Sequence, residues 1–293
     1  MQAHQSYHPR LLVVGCVSLD TIHVEQSNDK LTFETLGGAG LYTALAARAA
    51  GAIVTLYAPR TAPLPDKFQR VIEVIDWIGP VVTPGEMPSL EIVHHGGGRA
   101  SLVSARWGAE QRLVPEALAD SLEDFAAAHI AALSSAERQS AFALGCRSRG
   151  IPKVSAGTYA RLAYGNPQGV RDLLAQCDFF FMNANEACGM FGAVASMPLF
   201  DGKIILVTDG ERGAHIFENG LSKHVDAVPS EEVDPTGAGD TFCGATLAGI
   251  LSGRSIDEAT ACAAELAARC ITVPGPEAVL KEISVCACYE LET

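Results

Sequence analysis

Apolar runs alternate with amphipathic or alanine-rich segments along most of the chain. Residues 10–17 form a continuous apolar run, residues 41–50 an alanine-rich segment that ends at Gly51, and residues 53–58 a second apolar run. Apolar runs of this length indicate buried strands, and the segment between them has the composition and the glycine stop of a helix. The order strand, helix, strand is typical of a βαβ unit.

The same alternation continues towards the C-terminus. The further elements that the pattern predicts are helices over residues 115–128, 136–149, 167–176, 238–252 and 256–271, and strands over residues 129–133, 151–155, 178–182, 203–208 and 214–218. Apolar strands that alternate with helices imply a mostly parallel sheet covered on both faces. We therefore expect an α/β protein in which a mostly parallel sheet lies between layers of helices.

Two stretches interrupt the alternation. Residues 21–36 are polar and strand-like, and residues 90–107 contain two strand-like runs around Gly96-Gly97-Gly98. We expect them to pair as a small, reduced β lid over the edge of the sheet. No repeat or linker divides the chain, so residues 1–293 are expected to form one domain. His94 and His95 have no third metal ligand in sequence reach and are expected to be exposed lid residues.

Composition and charge narrow the possible partners. The 293 residues are 48% hydrophobic, enough for a substantial core, and the formal net charge of -13 opposes binding to nucleic acid or anionic membranes. The nine cysteines are scattered and odd in number, as expected for free thiols in a reducing cytoplasm. The N-terminal residues are polar and no run reaches the about 18 apolar residues that span a bilayer, so we expect a cytoplasmic protein that binds small molecules.

The strongest chemical signal is Asp-Pro-Thr-Gly-Ala-Gly-Asp at residues 234–240, which runs directly into an apolar helix. Glycines at a helix N-terminus let the backbone turn tightly and present free N–H groups to an anion. Asp240 would repel a bound phosphate, but it is well placed to take the proton of a hydroxyl that attacks one. The alternative is a capping role, in which Asp240 accepts hydrogen bonds from first-turn amides.

This motif resembles the second signature of the PfkB, or ribokinase-like, carbohydrate kinase family, and other family features occur in the right order over essentially the whole chain. The resemblance implies a ribokinase-like fold, which has three layers, α/β/α, of the Rossmann-like kind, together with a lid. It also implies an anion hole formed by Gly237, Ala238 and Gly239, with Asp240 as the catalytic base. Asp234 and Thr236 would support this loop or contact nucleotide phosphates.

Two further motifs resemble the nucleotide side of the family. Asn183 and Glu186 match its Asn-x-x-Glu motif, which implies contact with Mg²⁺ and phosphate, through water in the case of Glu186. The same two residues equally describe a helix capping box. Thr208 and Gly210 match the strand and turn that line the ATP site, although Asp-Gly is also common in ordinary turns.

The N-terminal half resembles the acceptor side of the family. Asp20 follows the first strand and matches the acceptor-binding aspartate, and Gly37 and Gly38 match the first signature, in which substrate approaches the backbone. Asp20 at the end of a strand could also be a cap. Tyr42 stands where many sugar kinases have Asn, so it either stacks on a substrate ring or packs in the core. The first lid segment is short, since only 16 residues separate Asp20 from Gly37.

The resemblance implies an ATP-dependent kinase that transfers the γ-phosphate to a hydroxyl of a small sugar, an inositol-like cyclitol or a nucleoside. It implies ATP and Mg²⁺, leaves a monovalent cation open, and is compatible with a monomer or a homodimer. The alternatives are a catalytically silent ligand-binding or regulatory protein of the same fold, and a hydroxymethylpyrimidine- or pyridoxal-type kinase. The Gly-Ala-Gly-Asp sequence at residues 237–240 disfavours both.

Overall fold

A computed structural model of the protein describes residues 7–26, 29–96, 99–198 and 200–290. The strands within these ranges are β1 (Arg10–Val14), β2 (Ser18–Gln26), β3 (Asp29–Gly37), β4 (Ile53–Tyr57), β5 (Arg60–Thr61), β6 (Asp76–Ile78), β7 (Val81–Val82), β8 (Ser89–Gly96), β9 (Arg99–Arg106), β10 (Ala127–Ile130), β11 (Val154–Gly157), β12 (Phe179–Asn183), β13 (Ile204–Thr208), β14 (Ala214–Glu218) and β15 (Leu221–Val225).

The helices are α1 (Ala39–Ala49), α2 (Gln69–Ile72), α3 (Ala136–Ser148), α4 (Ala160–Gly165), α5 (Pro167–Gln176), α6 (Ala184–Phe191), α7 (Ala238–Leu251), α8 (Ile256–Cys270) and α9 (Glu277–Glu290). The predicted helices over residues 167–176 and 136–149 agree with α5 and α3 to within one residue. Their boundaries are readable in the sequence because Asn166 and Ser135 cap them by accepting a hydrogen bond from a first-turn amide.

Nine of the described strands form one sheet in the order β15-β14-β13-β12-β11-β10-β1-β4-β6. The neighbours from β13 to β6 are parallel, and β14 and β15 extend the sheet antiparallel at one edge. This confirms the predicted three-layer architecture with a mostly parallel central sheet.

The central sheet is buried on both faces, which explains its continuous apolar strands. In β1, Leu11 and Val13 face a core that also contains residues of α1, α7, α8 and α9, whereas Leu12 and Val14 face a core with residues of α3 and α5. Successive side chains of a strand point to opposite faces, so in a strand that is covered on both sides all side chains face a core and most are apolar.

A second sheet forms the lid. Its four strands lie in the order β3-β2-β8-β9, with β2 and β8 parallel and the two outer pairs antiparallel. The predicted segments 21–36 and 90–107 therefore do pair with each other, although Gly97 and Gly98 lie outside the described residues. A third, two-stranded parallel sheet joins β5 and β7.

The helix predicted over residues 115–128 is wrong. Only Pro115–Ala117 form a 3₁₀ turn, and β10 already begins at Ala127. The backbone N–H of Leu122 instead bonds to the carbonyl of Arg149, while the side chains of Leu118 and Leu122 are buried in the core beside α3. Apolar spacing alone could not distinguish this anchored loop from a short helix.

In the described part of the chain, no helix combines the length and the apolar character needed to cross a membrane.

The cysteines whose side chains are described are all free thiols, namely Cys16, Cys146, Cys177, Cys188, Cys243, Cys262 and Cys270. The side chains of Cys286 and Cys288 lie outside the described part.

Candidate active site

The predicted site residues gather at one edge of the central sheet, around the N-terminus of α7. Carboxyl ends of parallel strands share one edge of a sheet, and this is where such sheets bind ligands. Strands β1, β12 and β13 deliver residues to this edge, and Asn183 and Thr208 are partners in the β12–β13 register.

The glycine-rich turn leaves the N-terminus of α7 without a cap. Gly237 has the left-handed conformation (φ 78°, ψ 2°), and no side chain caps the helix that starts at Ala238. The amide of Ala238 donates to the carbonyl of Pro235 at 3.3 Å, whereas the amides of Gly237 and Gly239 have no such partner among the described residues and are available to an anion. The turn therefore has the features of a phosphate-binding site.

Asp240 lies in the first turn of α7 and is partly buried. None of the described residues forms a hydrogen bond with its carboxylate, so the capping alternative does not account for it. Burial raises the pKa of Asp240 to about 7. A carboxylate with this pKa and no bound partner can accept a proton near neutral pH.

Tyr42 packs directly beneath the turn. A Cβ atom on Gly237 would lie 2.4 Å from the Tyr42 ring, so no other residue fits at position 237. The ring is buried, with 1% exposed, and burial together with the nearby Cys270 and acidic groups raises the pKa of Tyr42 well above its ordinary value. This position agrees with the core-packing alternative, and a role for Tyr42 in acceptor binding stays a prediction.

Asp20, which is expected to bind the acceptor, has one carboxylate oxygen with a hydrogen-bond partner outside its own strand and one without. Its Oδ1 accepts a hydrogen bond from the backbone N–H of Leu90 at 2.9 Å, while its buried Oδ2 has no partner among the described residues. A Cβ on Gly37 would lie 1.8 Å from Oδ2, so glycine at this position makes room for the carboxylate. Burial raises the pKa of Asp20 to about 6, against the lowering effects of the Leu90 amide and of the neighbouring Ser18 hydroxyl.

Ser18 is an acceptor-side residue that the sequence analysis missed. Its buried Oγ lacks a partner among the described residues and would lie 3.0 Å from a Cβ on Gly37, next to the free oxygen of Asp20. Ser18 and Asp20 are two positions apart on β2 and therefore share a face. The spacing of two residues between Ser18 and Asp20 was the sequence signal that could have identified Ser18.

Gly38 brings the start of α1 against the end of β1. It has φ 101° at the N-cap of α1, and a Cβ there would lie 2.4 Å from the carbonyl oxygen of Cys16. That carbonyl accepts the N–H of Leu41 at 3.3 Å. A larger residue at position 38 would push the helix away from the acceptor side of the site.

Asn183 and Glu186 form the capping box that was one of the two predicted alternatives. The amide of Glu186 donates to the Asn183 side chain at 2.9 Å, and the backbone and side-chain N–H groups of Asn183 each donate to one oxygen of Glu186 at 2.8 Å. Burial, and next the charge of Asp240, raise the pKa of Glu186 to about 8, while its hydrogen bonds with Asn183 oppose the rise. The capping box thus places a second carboxyl group close enough to Asp240 to feel its charge.

Thr208 and Gly210 lie where β13 ends. A Cβ on Gly239 would be 3.8 Å from Thr208 Oγ1, so this hydroxyl borders the glycine-rich turn. Gly210, with φ 58°, begins a 3₁₀ turn that is fixed by the ion pair of Asp209 with Arg212. No atom would meet a Cβ on Gly210 within 4 Å, which leaves open space beside this turn.

Asp234 supports the loop from within. Its Oδ1 accepts the N–H of Thr236 at 3.0 Å, and its Oδ2 accepts the N–H of Gly275 at 2.9 Å. Burial acts to raise its pKa, but hydrogen bonds from His94, Gly275 and Thr236 hold the pKa of Asp234 below its ordinary value. With 1% exposed, Asp234 acts as a buried anchor of the loop.

The expectation that His94 is an exposed lid residue is wrong. Its side chain is buried, with 3% of the residue exposed, and Nε2 lies 3.1 Å from both Asp234 Oδ1 and Thr236 Oγ1. His95, the next residue on the strand, is exposed as expected. Neighbouring strand residues face opposite sides, and only the tertiary fold shows what each side meets.

The arrangement fits a metal that is held through water and the nucleotide. Within the described ranges, no three or more His, Cys, Asp or Glu side chains are grouped for direct ligation of an ion. Mg²⁺ keeps several waters and often takes few direct protein ligands. Glu186, whose oxygens each already accept a hydrogen bond, suits this indirect role better than direct ligation.

The chain is similar to known kinases. The family model described as pfkB family carbohydrate kinase matches residues 79–283. The chain is 25% identical over 257 residues to the cytidine kinase of Thermococcus kodakarensis, and the aligned segment covers 85% of this chain and 91% of that protein. It is 42% identical to the inositol 3-kinase of Zea mays, but over only 55 residues, 19% of this chain and 14% of the relative.

Among solved structures, the ribokinase of Cryptococcus neoformans in complex with ADP superposes with a TM-score of 0.74. The match has 18% sequence identity and covers 96% of this chain and 99% of that structure. At this identity the similarity establishes the fold, which is the ribokinase fold expected from the motifs.

Proposed function

Because this chain belongs to the pfkB family of carbohydrate kinases and is a phosphotransferase with a hydroxyl acceptor, we propose that it transfers the γ-phosphate of ATP to a ring-bound hydroxyl with Asp240 as the base. The observation that carries this proposal is the pairing of an uncapped, glycine-rich helix N-terminus with the unbonded carboxylate of Asp240.

The proposed reaction uses few protein groups. The acceptor hydroxyl loses its proton to Asp240 as its oxygen bonds to the γ-phosphorus, and the bond from phosphorus to the β–γ bridging oxygen breaks. The amides of Gly237 and Gly239 stabilise the negative charge on the transferred group, because they are already oriented and need not reorganise. General-base catalysis of this kind contributes on the order of 10² to 10⁴-fold.

Asn183 and Glu186 would hold magnesium through water, on the side of the site that Thr208 borders. When bound, the ion supplies positive charge that offsets the phosphates and the two nearby carboxyl groups. Burial raises the pKa values of Glu186 and Asp240 to about 8 and about 7, and a bound cation would favour the charged forms of both groups.

The acceptor is proposed to present a pair of neighbouring hydroxyls. Asp20 Oδ2 and Ser18 Oγ are buried, have no partner outside this pair within the described part, and lie together over Gly37. Buried polar atoms need hydrogen bonds, and two hydroxyls on adjacent ring carbons would provide them. Both a ribose ring of a nucleoside and an inositol-like cyclitol carry such a pair.

Among these, a nucleoside is the first candidate. The similarity to a cytidine kinase extends over 85% of the chain, whereas the similarity to an inositol 3-kinase extends over 19%. In addition, Trp107 at the end of the lid and Tyr159 after β11 form an aromatic pair with ring centroids 5.3 Å apart, both partly exposed. Aromatic faces of this kind can stack on a base.

The test is ADP release from ATP and Mg²⁺ with cytidine, adenosine, other nucleosides, myo-inositol, ribose and fructose as acceptors, measured in K⁺ and in choline buffers. Turnover with one acceptor, lost in Asp240→Asn while nucleotide still binds, is the expected result. Full turnover by Asp240→Asn would refute the assignment of the base. Nucleotide binding without turnover across the panel would favour a silent binding protein, and the two buffers test the monovalent cation.

A further inference from the structure

One side chain of the lid reaches the loop that precedes the anion-binding turn. His94, on β8, lies 142 residues from Thr236 in sequence, yet its Nε2 is 3.1 Å from the Thr236 hydroxyl and 3.1 Å from Asp234 Oδ1. Its other ring nitrogen, Nδ1, is buried without a partner among the described residues. The ring is therefore held through Nε2, at the junction of lid and loop.

The chemistry of the junction fixes the direction of its hydrogen bonds. A carboxylate such as Asp234 can only accept, so Nε2 must carry the hydrogen and donate it. The Thr236 oxygen, at the same distance from Nε2, then serves as a second acceptor. The hydroxyl of Thr236 can still donate its own hydrogen to Asp234, since a hydrogen bond from the Thr236 side chain helps to lower the pKa of Asp234. Gly237, the first residue of the turn, is the next residue in the chain.

A second lid strand is linked to Asp234 indirectly, through Gly275. A Cβ on Gly275 would lie 1.8 Å from Oγ1 of Thr35, on β3, so Thr35 packs against the Gly275 backbone. The N–H of Gly275 in turn donates to Asp234 Oδ2 at 2.9 Å. His94 of β8 therefore bonds to Asp234 directly, whereas β3 is connected to it through the Gly275 backbone.

We propose that His94 is a positioning residue for phosphoryl transfer: its Nε2–H ties the lid to Asp234 and Thr236, and so fixes the turn of residues 237–239 in its anion-binding conformation. A residue that sets the geometry of transition-state donors affects the chemical step more than ground-state binding. This inference rests on the kinase function proposed above.

The experiment compares three variants. His94→Leu removes the Nε2 donor at similar size, and His94→Gln keeps an N–H donor at a similar reach. His23→Leu is the matched control, because His23 is also a lid histidine with two hydrogen bonds, to Thr32 at 2.9 Å and Glu91 at 3.1 Å, but both remain within the lid.

For His94→Leu we expect kcat to fall on the order of tenfold or more, with KM values for ATP and acceptor changed far less. His94→Gln should recover most of kcat, and His23→Leu should resemble the wild type. Unfolding midpoints measured in parallel identify any general loss of stability. Equal losses of kcat in His94→Leu and His23→Leu, or no recovery by Gln in a folded variant, would overturn the proposal.

A second measurement does not depend on turnover. Amide hydrogen exchange over residues 234–241 should become faster in His94→Leu and stay unchanged in His23→Leu. Exchange that is the same in all variants would overturn the role of His94. If wild-type protein turned over no acceptor, the kinase proposal would fail, and this exchange experiment would still decide whether His94 orders the loop.

Discussion

Asp240 has two properties that oppose each other. To act as a base it must be ionised, but burial in the first turn of α7 raises its pKa from 3.8 to about 7. Burial penalises the charged form because the protein solvates a carboxylate less well than water does. The same residue should therefore connect activity and stability to pH with opposite signs.

We predict that kcat/KM of the wild type rises with pH through about 7 and then levels, because the base is active only when deprotonated. At one pH unit below the pKa, about one tenth of the plateau remains. Initial rates at saturating Mg²⁺ from pH 5.5 to 9 check this. A profile that is flat across this range would contradict the assigned pKa.

The free energy of unfolding should fall over the pH range in which kcat/KM rises. The folded-state pKa of Asp240 lies above its unfolded value, so the stability it contributes is present below about pH 4 and is lost as pH rises through about 7. Partial exposure reduces the loss below the about 1.4 kcal/mol per pH unit of a fully buried group. Asp240→Asn should therefore unfold at a higher temperature than the wild type at pH 8, but not at pH 4.

At the scale of elements, the site depends on the close approach of α1 and α7. A Cβ on Gly244 of α7 would lie 2.1 Å from the carbonyl oxygen of Thr43 in α1, so the two helices touch through their backbones. The N-terminus of α1 follows Gly38, and that of α7 carries Asp240. This contact therefore sets the distance between the acceptor side and the base.

We predict that Gly244→Ala forces the two helices apart, with a loss of roughly 1–3 kcal/mol in the free energy of unfolding and a fall in kcat/KM. Chemical denaturation and acceptor kinetics measure the two effects. Gly165→Ala is the control, since Gly165 is also helical and a Cβ there would meet no atom within 4 Å. Similar effects of the two substitutions would show that the α1–α7 contact is not the cause.

At the scale of the whole molecule, the charge of the protein opposes that of its proposed donor. The formal net charge is -13, and Asp240, with a pKa of about 7, places part of this negative charge within the site itself. A cleft lined by one sign of charge repels ligands of the same sign over several ångströms. Binding of a polyphosphate should therefore depend strongly on a divalent cation.

We predict that EDTA weakens ATP binding by about tenfold or more, because the cation offsets both the phosphates and the acidic groups. Titration calorimetry with and without Mg²⁺ measures the change. Adenosine carries no charge, so its binding should be insensitive to EDTA and serves as the control. ATP affinity that is independent of Mg²⁺ would contradict the indirect metal role proposed for Glu186.

The sequence alone determined what depends on local pattern. Continuous apolar strands and capped helices, such as β1 and α5, could be predicted because burial on both faces and side-chain caps leave a periodic trace. The glycine-rich turn of residues 237–240 could also be predicted as a candidate anion site from residue types at fixed spacing, whereas the structure decided that no side chain caps this helix.

Only the tertiary structure decided contacts between residues that are distant in sequence. Tyr42 beneath Gly237, Ser18 beside Asp20, the anchored loop at 115–126 and His94 against Asp234 all depend on which surfaces the fold brings together. The periodic pattern of apolar residues within one element does not predict such contacts, because the residues that bury a side chain or bond to it belong to other elements. For this reason the sequence predicted the chemistry of the turn, and the fold revealed how the lid is joined to it.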